Sequence, residues 1–327
     1  MTRARPLPGA GVPLGPGPEF DRIRKITRLL GDRVSGVGDD CGLIQVSGEL
    51  VALSTDVSVE GVHFRLDWIG PEEVGWRSAA AALSDLAADG AEPVGLLCAV
   101  TMPASARESE LLDLMAGIGA AAAASGTTVL GGDLASGPGW SVTVTVVGRT
   151  QAPVLRSGAA PGDRLWVTGR LGGARAALEA WLHQREPSPG ARARFAHPEP
   201  RIGAGQWLAG HGARAMIDLS DGLAGDAPHL AAASQVSLVI DLATIPVATE
   251  AEQEAARLGT PPPRFAAEGG EDYELLVALP PRFADAELFQ RECSLPLTAI
   301  GEIVAGSGTH FLLSGKPVEL RGFNHFG

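Results

Sequence analysis

The chain has 327 residues, with 26 Lys and Arg against 38 Asp and Glu, and a formal net charge of -12. That balance argues against nucleic acid or an anionic membrane surface as a partner, and 45% hydrophobic content excludes wholesale disorder. The length suits about two domains with a core each. Three scattered cysteines, Cys41, Cys98 and Cys293, with no CxxC pair, indicate reduced thiols in a cytoplasmic protein rather than a disulfide framework or a zinc site.

Residues 1–18 carry Pro6, Pro8, Pro13, Pro16 and Pro18 among glycines and no apolar core, so they read as a disordered leader rather than a signal peptide. Pro18-Glu19 then opens a helix with Phe20, Ile23, Ile26, Leu29 and Leu30 on one face, stopped by Gly31. Leu50 to Leu53 reads as a strand ending at Ser54-Thr55-Asp56. Pro71 starts a helix from Glu72 to Asp89, on which Asp85 and Asp89 share a face. A strand from Val94 to Met102, a helix from Glu108 to Ser125, a short strand from Thr127 to Leu130 and a strand from Trp140 to Val147 complete an N-terminal α/β domain, residues 19–152. The uncharged run from Leu114 to Gly132 is mostly Ala, Gly, Ser and Thr broken at Ser125-Gly126, which is no membrane span.

Pro153, Gly158, Pro161 and Gly162 mark the domain boundary, and a C-terminal α/β domain occupies residues 153–327. Its expected elements are strands at Arg164–Thr168, Ala213–Leu219, Ser237–Leu242, Tyr273–Leu279 and Leu297–Ile303. Helices are expected at Gly173–Gln184, Arg201–Ala209, Leu223–Ala233, Glu250–Leu258 and Phe283–Arg291, with a Pro/Arg-rich insertion over Glu186–Pro200.

Acidic residues recur beside Gly or Ser, at Gly38-Asp39-Asp40, Ser54-Thr55-Asp56, Ser84-Asp85, Gly131-Gly132-Asp133 and Asp218-Leu219-Ser220-Asp221-Gly222. Singly, each is an ordinary turn or cap. Together, delivered on tight turns, they make the oxygen donor set that Mg²⁺ and nucleotide phosphates require. Asp39 and Asp40 in extended backbone would point to opposite sides, leaving one as a direct ligand, whereas Asp218 and Ser220 can share a side. Ser220-Asp221-Gly222 lies where a strand gives way to a helix, a place for phosphate or for a simple cap. No GxxxxGK[ST] loop, protein-kinase motif, GxSxG or HExxH occurs, and the GxGxxA match at Gly210 to Ala215 leaves a helix and enters a strand, the reverse of the dinucleotide-binding order.

These motifs, in order with Val59-Glu60-Gly61-Val62-His63-Phe64, Arg156-Ser157-Gly158-Ala159, Gly269-Gly270-Glu271-Asp272-Tyr273-Glu274 and the terminal Gly322-Phe323-Asn324-His325-Phe326, closely resemble the thiamine-monophosphate kinases. That family is similar in fold to the aminoimidazole ribonucleotide and selenophosphate synthetases. The resemblance implies a two-domain synthetase-like fold of mixed α/β class, a homodimer through the N-terminal sheet, and conversion of ATP and thiamine phosphate to thiamine diphosphate and ADP, the last step of thiamine diphosphate biosynthesis. It further implies several Mg²⁺ ions held by Asp40, Ser54, Thr55, Asp56, Asp85, Asp133 and Asp218, with Asp221 on a further ion. ATP would meet Gly132, Asp133, Arg156 and Ser220, and thiamine phosphate would meet His63, Glu271 and Phe323. No residue is implied as an acid or base.

On the residues alone, His63 is packed, solvent-facing or substrate-contacting; Arg156 is a loop cation or a phosphate ligand; Glu271 pairs with a surface Arg or attracts the cationic thiazolium; Phe323 is core or a stacking surface. Gly42 and Leu134-Ala135 depart from the family pattern. A different ATP-dependent synthetase of the same superfamily, or a nucleotide-binding protein without turnover, are the competing readings.

Overall fold

A computed structural model describes residues 5–6 and 12–323. Strands β1 (Arg5–Pro6), β2 (Gly42–Val46), β3 (Glu49–Val59), β4 (Glu92–Met102), β5 (Val129–Ser136) and β6 (Ser141–Thr150) form a sheet in the order β1-β2-β3-β6-β4-β5. Only β4 and β5 run parallel. Helix α1 (Pro18–Leu30) precedes β2, and helices α2 (Pro71–Ala88) and α3 (Glu108–Ala124) pack on one sheet face. The alternation along β6 accounts for this: Val142, Val144 and Val146 are wholly buried, while the residues between them turn to the other face.

Helix α2 is the centre of the molecule. A Cβ on its Gly75 would stand 1.9 Å from the Leu114 carbonyl oxygen, and one on Gly117 of α3 would stand 1.8 Å from that of Glu72. Only glycine at these places lets the two backbones approach so closely. The second domain docks on the same helix.

That domain is a seven-stranded sheet in the order β13-β12-β9-β11-β7-β10-β8. Its strands are β7 (Arg164–Thr168), β8 (Ala215–Asp218), β9 (Ser237–Asp241), β10 (Leu275–Leu279), β11 (Leu297–Val304), β12 (Gly308–Leu313) and β13 (Lys316–Val318). Its helices are α4 (Gly173–Leu182), α5 (Pro189–Ala196), α6 (Ile202–Gly210), α7 (Leu223–Ser234), α8 (Thr249–Leu258), α9 (Pro262–Ala267) and α10 (Ala286–Cys293). Strand β10 is buried at all five positions, as a central strand covered on both sides must be.

Several expectations change. β3 does not end at Asp56 but runs on to Val59, and β5 continues through Gly131-Gly132-Asp133 to Ser136, while Asp85 lies within α2 as expected. Three of the five acidic motifs are therefore on regular elements rather than on turns. The Pro/Arg-rich insertion holds α5, whose Ser188 caps the amide of Ala191 and whose Pro189 occupies the first helical position. The leader is only partly within the described residues: Arg5 and Pro6 pair with Gln45 and Ile44, and the Leu14 and Gly15 carbonyls accept bonds from Arg24. Asn324, His325 and Phe326 of the terminal motif lie outside the described residues.

Candidate active site

Between the domains lies a cavity of about 820 Å³, lined among others by Asp56, His63, Asp85, Asp218, Ser220, Asp221, Glu271 and Phe323. Eight of the residues singled out from sequence therefore meet in one place. They arrive from β3, from the loop after it, from α2, from the end of β8 and the turn beyond it, from the segment between α9 and β10, and from the segment after β13. At the strand-to-helix turn after β8, the Ser220 carbonyl accepts from the Glu271 amide at 2.7 Å and the Leu219 carbonyl from the Tyr273 amide at 2.9 Å. The Asp221 carbonyl accepts from the Phe323 amide at 3.1 Å. Three remote segments are thus laced together along the cavity wall. Glu271 and Tyr273 hold φ of 70° and 50°, a left-handed backbone that these residues adopt only when the surroundings impose it.

The carboxylates converge further in. One oxygen from each of Asp40, Asp85 and Asp218 lies within 4.8 Å of the others. The Ser54 hydroxyl donates to Asp85, and the Ser84 hydroxyl to Asp218 at 2.6 Å. Burial pushes Asp218 up to about 8, with Asp40 adding to the effect, and pushes Asp56 up to about 6, again with help from Asp40. Asp85 is raised well above the carboxylate range by burial and then by Asp56 and Asp218. Such a group of acids is unfavourable until something positive or a proton joins it.

The sign of the pH effect follows. Each of these acids has a folded pKa above its unfolded value, so the folded state holds more protons between about pH 4 and pH 8. The stability they contribute is complete below their unfolded pKa and is lost as pH rises through 6 and then 8. Metal-free protein should accordingly melt at a lower temperature at pH 8 than at pH 5.5. Millimolar Mg²⁺ should remove most of that difference, because cation binding displaces the same protons. Thermal scans at the two pH values with and without EDTA check this.

The remaining predicted residues are placed otherwise. Arg156 does not line the cavity; its guanidinium grips Asp40 from two nitrogens, at 3.0 and 2.6 Å, and its amide donates to Asp39 at 2.9 Å. Strand alternation puts Thr55 on the opposite face from Ser54 and Asp56, where its hydroxyl meets that of Thr145 at 2.9 Å. Asp133 is in register with Ala99, which pairs with Thr143, which pairs with Val57, so it shares this outer face; Gly132 precedes it on the same edge strand. Thr55, Gly132 and Asp133 are not brought to the cavity of the single chain. The outer face also exposes Val57, Leu97 and Leu130.

The structure narrows three of the readings left open. The Glu271 carboxylate pairs with Arg77 of α2, which is buried rather than on the surface and stacks its guanidinium 4.0 Å over the Phe195 ring. His63 accepts the Val59 amide on Nδ1 at 3.0 Å, which leaves Nε2 as the protonated nitrogen of the neutral ring. Phe323 is 52% exposed at the cavity mouth and so is not core. Sequence reasoning missed Arg77 and Ser84. The available signal was a charged residue and a serine seven positions apart on one face of an otherwise alanine-rich buried helix.

Two open α/β domains clasping a carboxylate-lined cleft define a protein of the AIR synthase related class. Residues 38–150 match the N-terminal domain model of AIR synthase related proteins and residues 160–313 the C-terminal one. Within that class, the chain belongs to the thiamine-monophosphate kinase family. It is 36% identical to the thiamine-monophosphate kinase of Escherichia coli K12 over 329 aligned residues, covering 94% of this chain and 95% of that one. The Mycobacterium tuberculosis enzyme is also 36% identical, over 81% of this chain and 80% of its own length. A solved structure, AaThiL complexed with AMPPCP and TMP, superposes with a TM-score of 0.84 at 32% identity, over 95% of this chain and 97% of that one. Hydrogenase maturation protein HypE, 17% identical with a TM-score of 0.71, shares the fold.

Proposed function

We propose that this chain transfers the γ-phosphoryl group of ATP directly to the phosphate of thiamine phosphate, yielding thiamine diphosphate and ADP without a phospho-enzyme. The observation that carries the reading is the convergence of Asp56, Asp85, Asp218 and Asp221 with His63, Glu271 and Phe323 in one cavity of a chain 36% identical to thiamine-monophosphate kinases. The acceptor's second phosphate pKa is about 6, so its oxygen is already ionised at neutral pH and no side chain has to act as a base. What opposes reaction is repulsion between two anions, and the work left to the protein is positioning and charge compensation.

The donor set fits divalent cations: clustered hard oxygens from Asp40, Asp85 and Asp218, with Asp56 and Ser54 alongside and Asp221 for a further ion. Mg²⁺, when bound, offsets the charge of the phosphates and of the in-line transition state. Arg77 holds the Glu271 carboxylate at the cavity wall, where it can attract the cationic thiazolium, and Phe323 offers a ring for stacking. Ser220 stands where the strand gives way to α7, a place suited to phosphate. Arg156 supports the site by neutralising Asp40.

Thr55, Gly132 and Asp133 join the ATP and metal site only in a homodimer, and the uncovered apolar sheet face supports one. Sedimentation equilibrium giving the single-chain mass would remove these three from the reading. The free thiols of Cys41, Cys98 and Cys293 suit the cytoplasm, and no helix among the described residues is long and apolar enough to cross a membrane.

Product chromatography after incubation with ATP, Mg²⁺ and thiamine phosphate, with thiamine as parallel acceptor, tests the proposal. Diphosphate is expected from the monophosphate alone, in step with ADP. Intact Mg-ATP binding without product would instead favour a different acceptor or a nucleotide-binding role.

A further inference from the structure

Asp89 caps the C-terminus of α2, one turn beyond Asp85. It is 0% exposed, and among the described residues its carboxylate oxygens have no hydrogen-bond partner beyond an approach by the Cys41 thiol. Asp39 presents a second such atom: its Oδ1 accepts from the Arg156 and Asp40 amides, while Oδ2 is buried without a partner. One oxygen from each of Asp39, Asp40 and Asp89 lies within 4.8 Å of the others. This group shares only Asp40 with the set that meets the cavity, and neither Asp39 nor Asp89 lines the cavity. It is a second constellation joined to the first through Asp40, and Asp39 and Asp89 have no role assigned above.

Its charge does not balance. Three carboxylates face the single guanidinium of Arg156, which is bidentate on Asp40 and leaves Asp39 Oδ2 and both oxygens of Asp89 uncompensated. An ionised carboxylate buried without a partner is strongly unfavourable, so the arrangement needs a proton or, once ionised, a positive species. Three ionised acids and one arginine leave a residual charge of two, the complement of a divalent cation held by oxygen. We propose that Asp39, Asp40 and Asp89 form a further divalent-cation site, buried beside the catalytic carboxylates, that takes Mn²⁺ in preference to Mg²⁺. Mg²⁺ gives up its water reluctantly and is poorly suited to a pocket in which Asp40 is 7% and Asp89 0% exposed. Asp40 would bridge this ion to the cavity set. The inference does not rest on the phosphoryl-transfer reading.

The test counts bound Mn²⁺ by electron paramagnetic resonance on the metal-stripped full-length chain, without nucleotide, for the wild type and for Asp89→Asn. The wild type should hold one more tightly bound Mn²⁺ per chain than the variant, should keep it against excess Mg²⁺, and should gain more in Tm from Mn²⁺. Equal counts in the two proteins would overturn the proposal. So would an Asp89→Asn protein that melts above the wild type in saturating Mn²⁺, since that marks a carboxylate cluster relieved by a proton rather than by a cation. If Asp89→Asn does not fold, Asp39→Asn, which removes a ligand of this group and not of the other, decides by the same count.

Discussion

Asp85→Asn should lower kcat by about a thousandfold, roughly 4 kcal/mol of transition-state stabilisation, with the fold intact. Asp85 is the residue through which the site is assembled. It accepts the Ser54 hydroxyl from β3 and shares the carboxylate cluster with Asp40 and Asp218, so all three sources of donors meet on it. Asparagine keeps the shape and the hydrogen bond but offers one weak oxygen in place of a charge. It also relieves repulsion from Asp56 and Asp218, which add to burial in holding Asp85 well above its ordinary pKa. The variant should therefore be as stable as the wild type without metal, or more so, while losing cation affinity and turnover. Opposite movements of Tm and kcat distinguish loss of a ligand from loss of fold. A variant within tenfold of wild-type kcat would remove Asp85 from the ligand set.

The acids were readable because their neighbours are small. Gly38, Ser54, Ser84, Gly132 and Gly222 leave room for carboxylates to approach one another, and that local signature survives in a single sequence. What does not survive is the face on which a strand presents each residue. Ser54, Thr55 and Asp56 read as one motif, yet an unbroken strand through them sends Thr55 away from its neighbours. The extent of β3 and β5 was hidden for the same reason: polar residues in mid-strand look like turns until pairing partners such as Val144 and Ala99 are known. The Arg77 to Glu271 pair spans most of the chain, and nothing local to Glu271 announces that its partner lies on α2. The terminal strands β12 and β13 lack strong alternation and are fixed by pairing, β12 with β9 and β13 with β12.

Arg156→Met should destabilise the metal-free protein by about 3–5 kcal/mol, the cost of leaving one member of a buried ion pair behind. The pair with Asp40 has side-chain exposures of 15% and 0%, so solvent cannot take over from the guanidinium. The two backbone bonds at this position, from the Arg156 amide to Asp39 and from the Ser234 hydroxyl to the Arg156 carbonyl, do not need the side chain and should persist. The measured loss therefore reports the charge. Denaturant titration in EDTA gives it, and a loss under about 1 kcal/mol, the range of an exposed pair, would contradict the buried geometry. Adding Asp40→Asn to Arg156→Met should recover a large part of the deficit, because the charge that lost its partner is then gone. Mg²⁺ should stabilise the Met variant more than the wild type, since the cation meets a carboxylate whose only guanidinium has been removed. If so, arginine and cation share the task of neutralising Asp40, and the cleft is held together by the same electrostatics that it uses to gather phosphates.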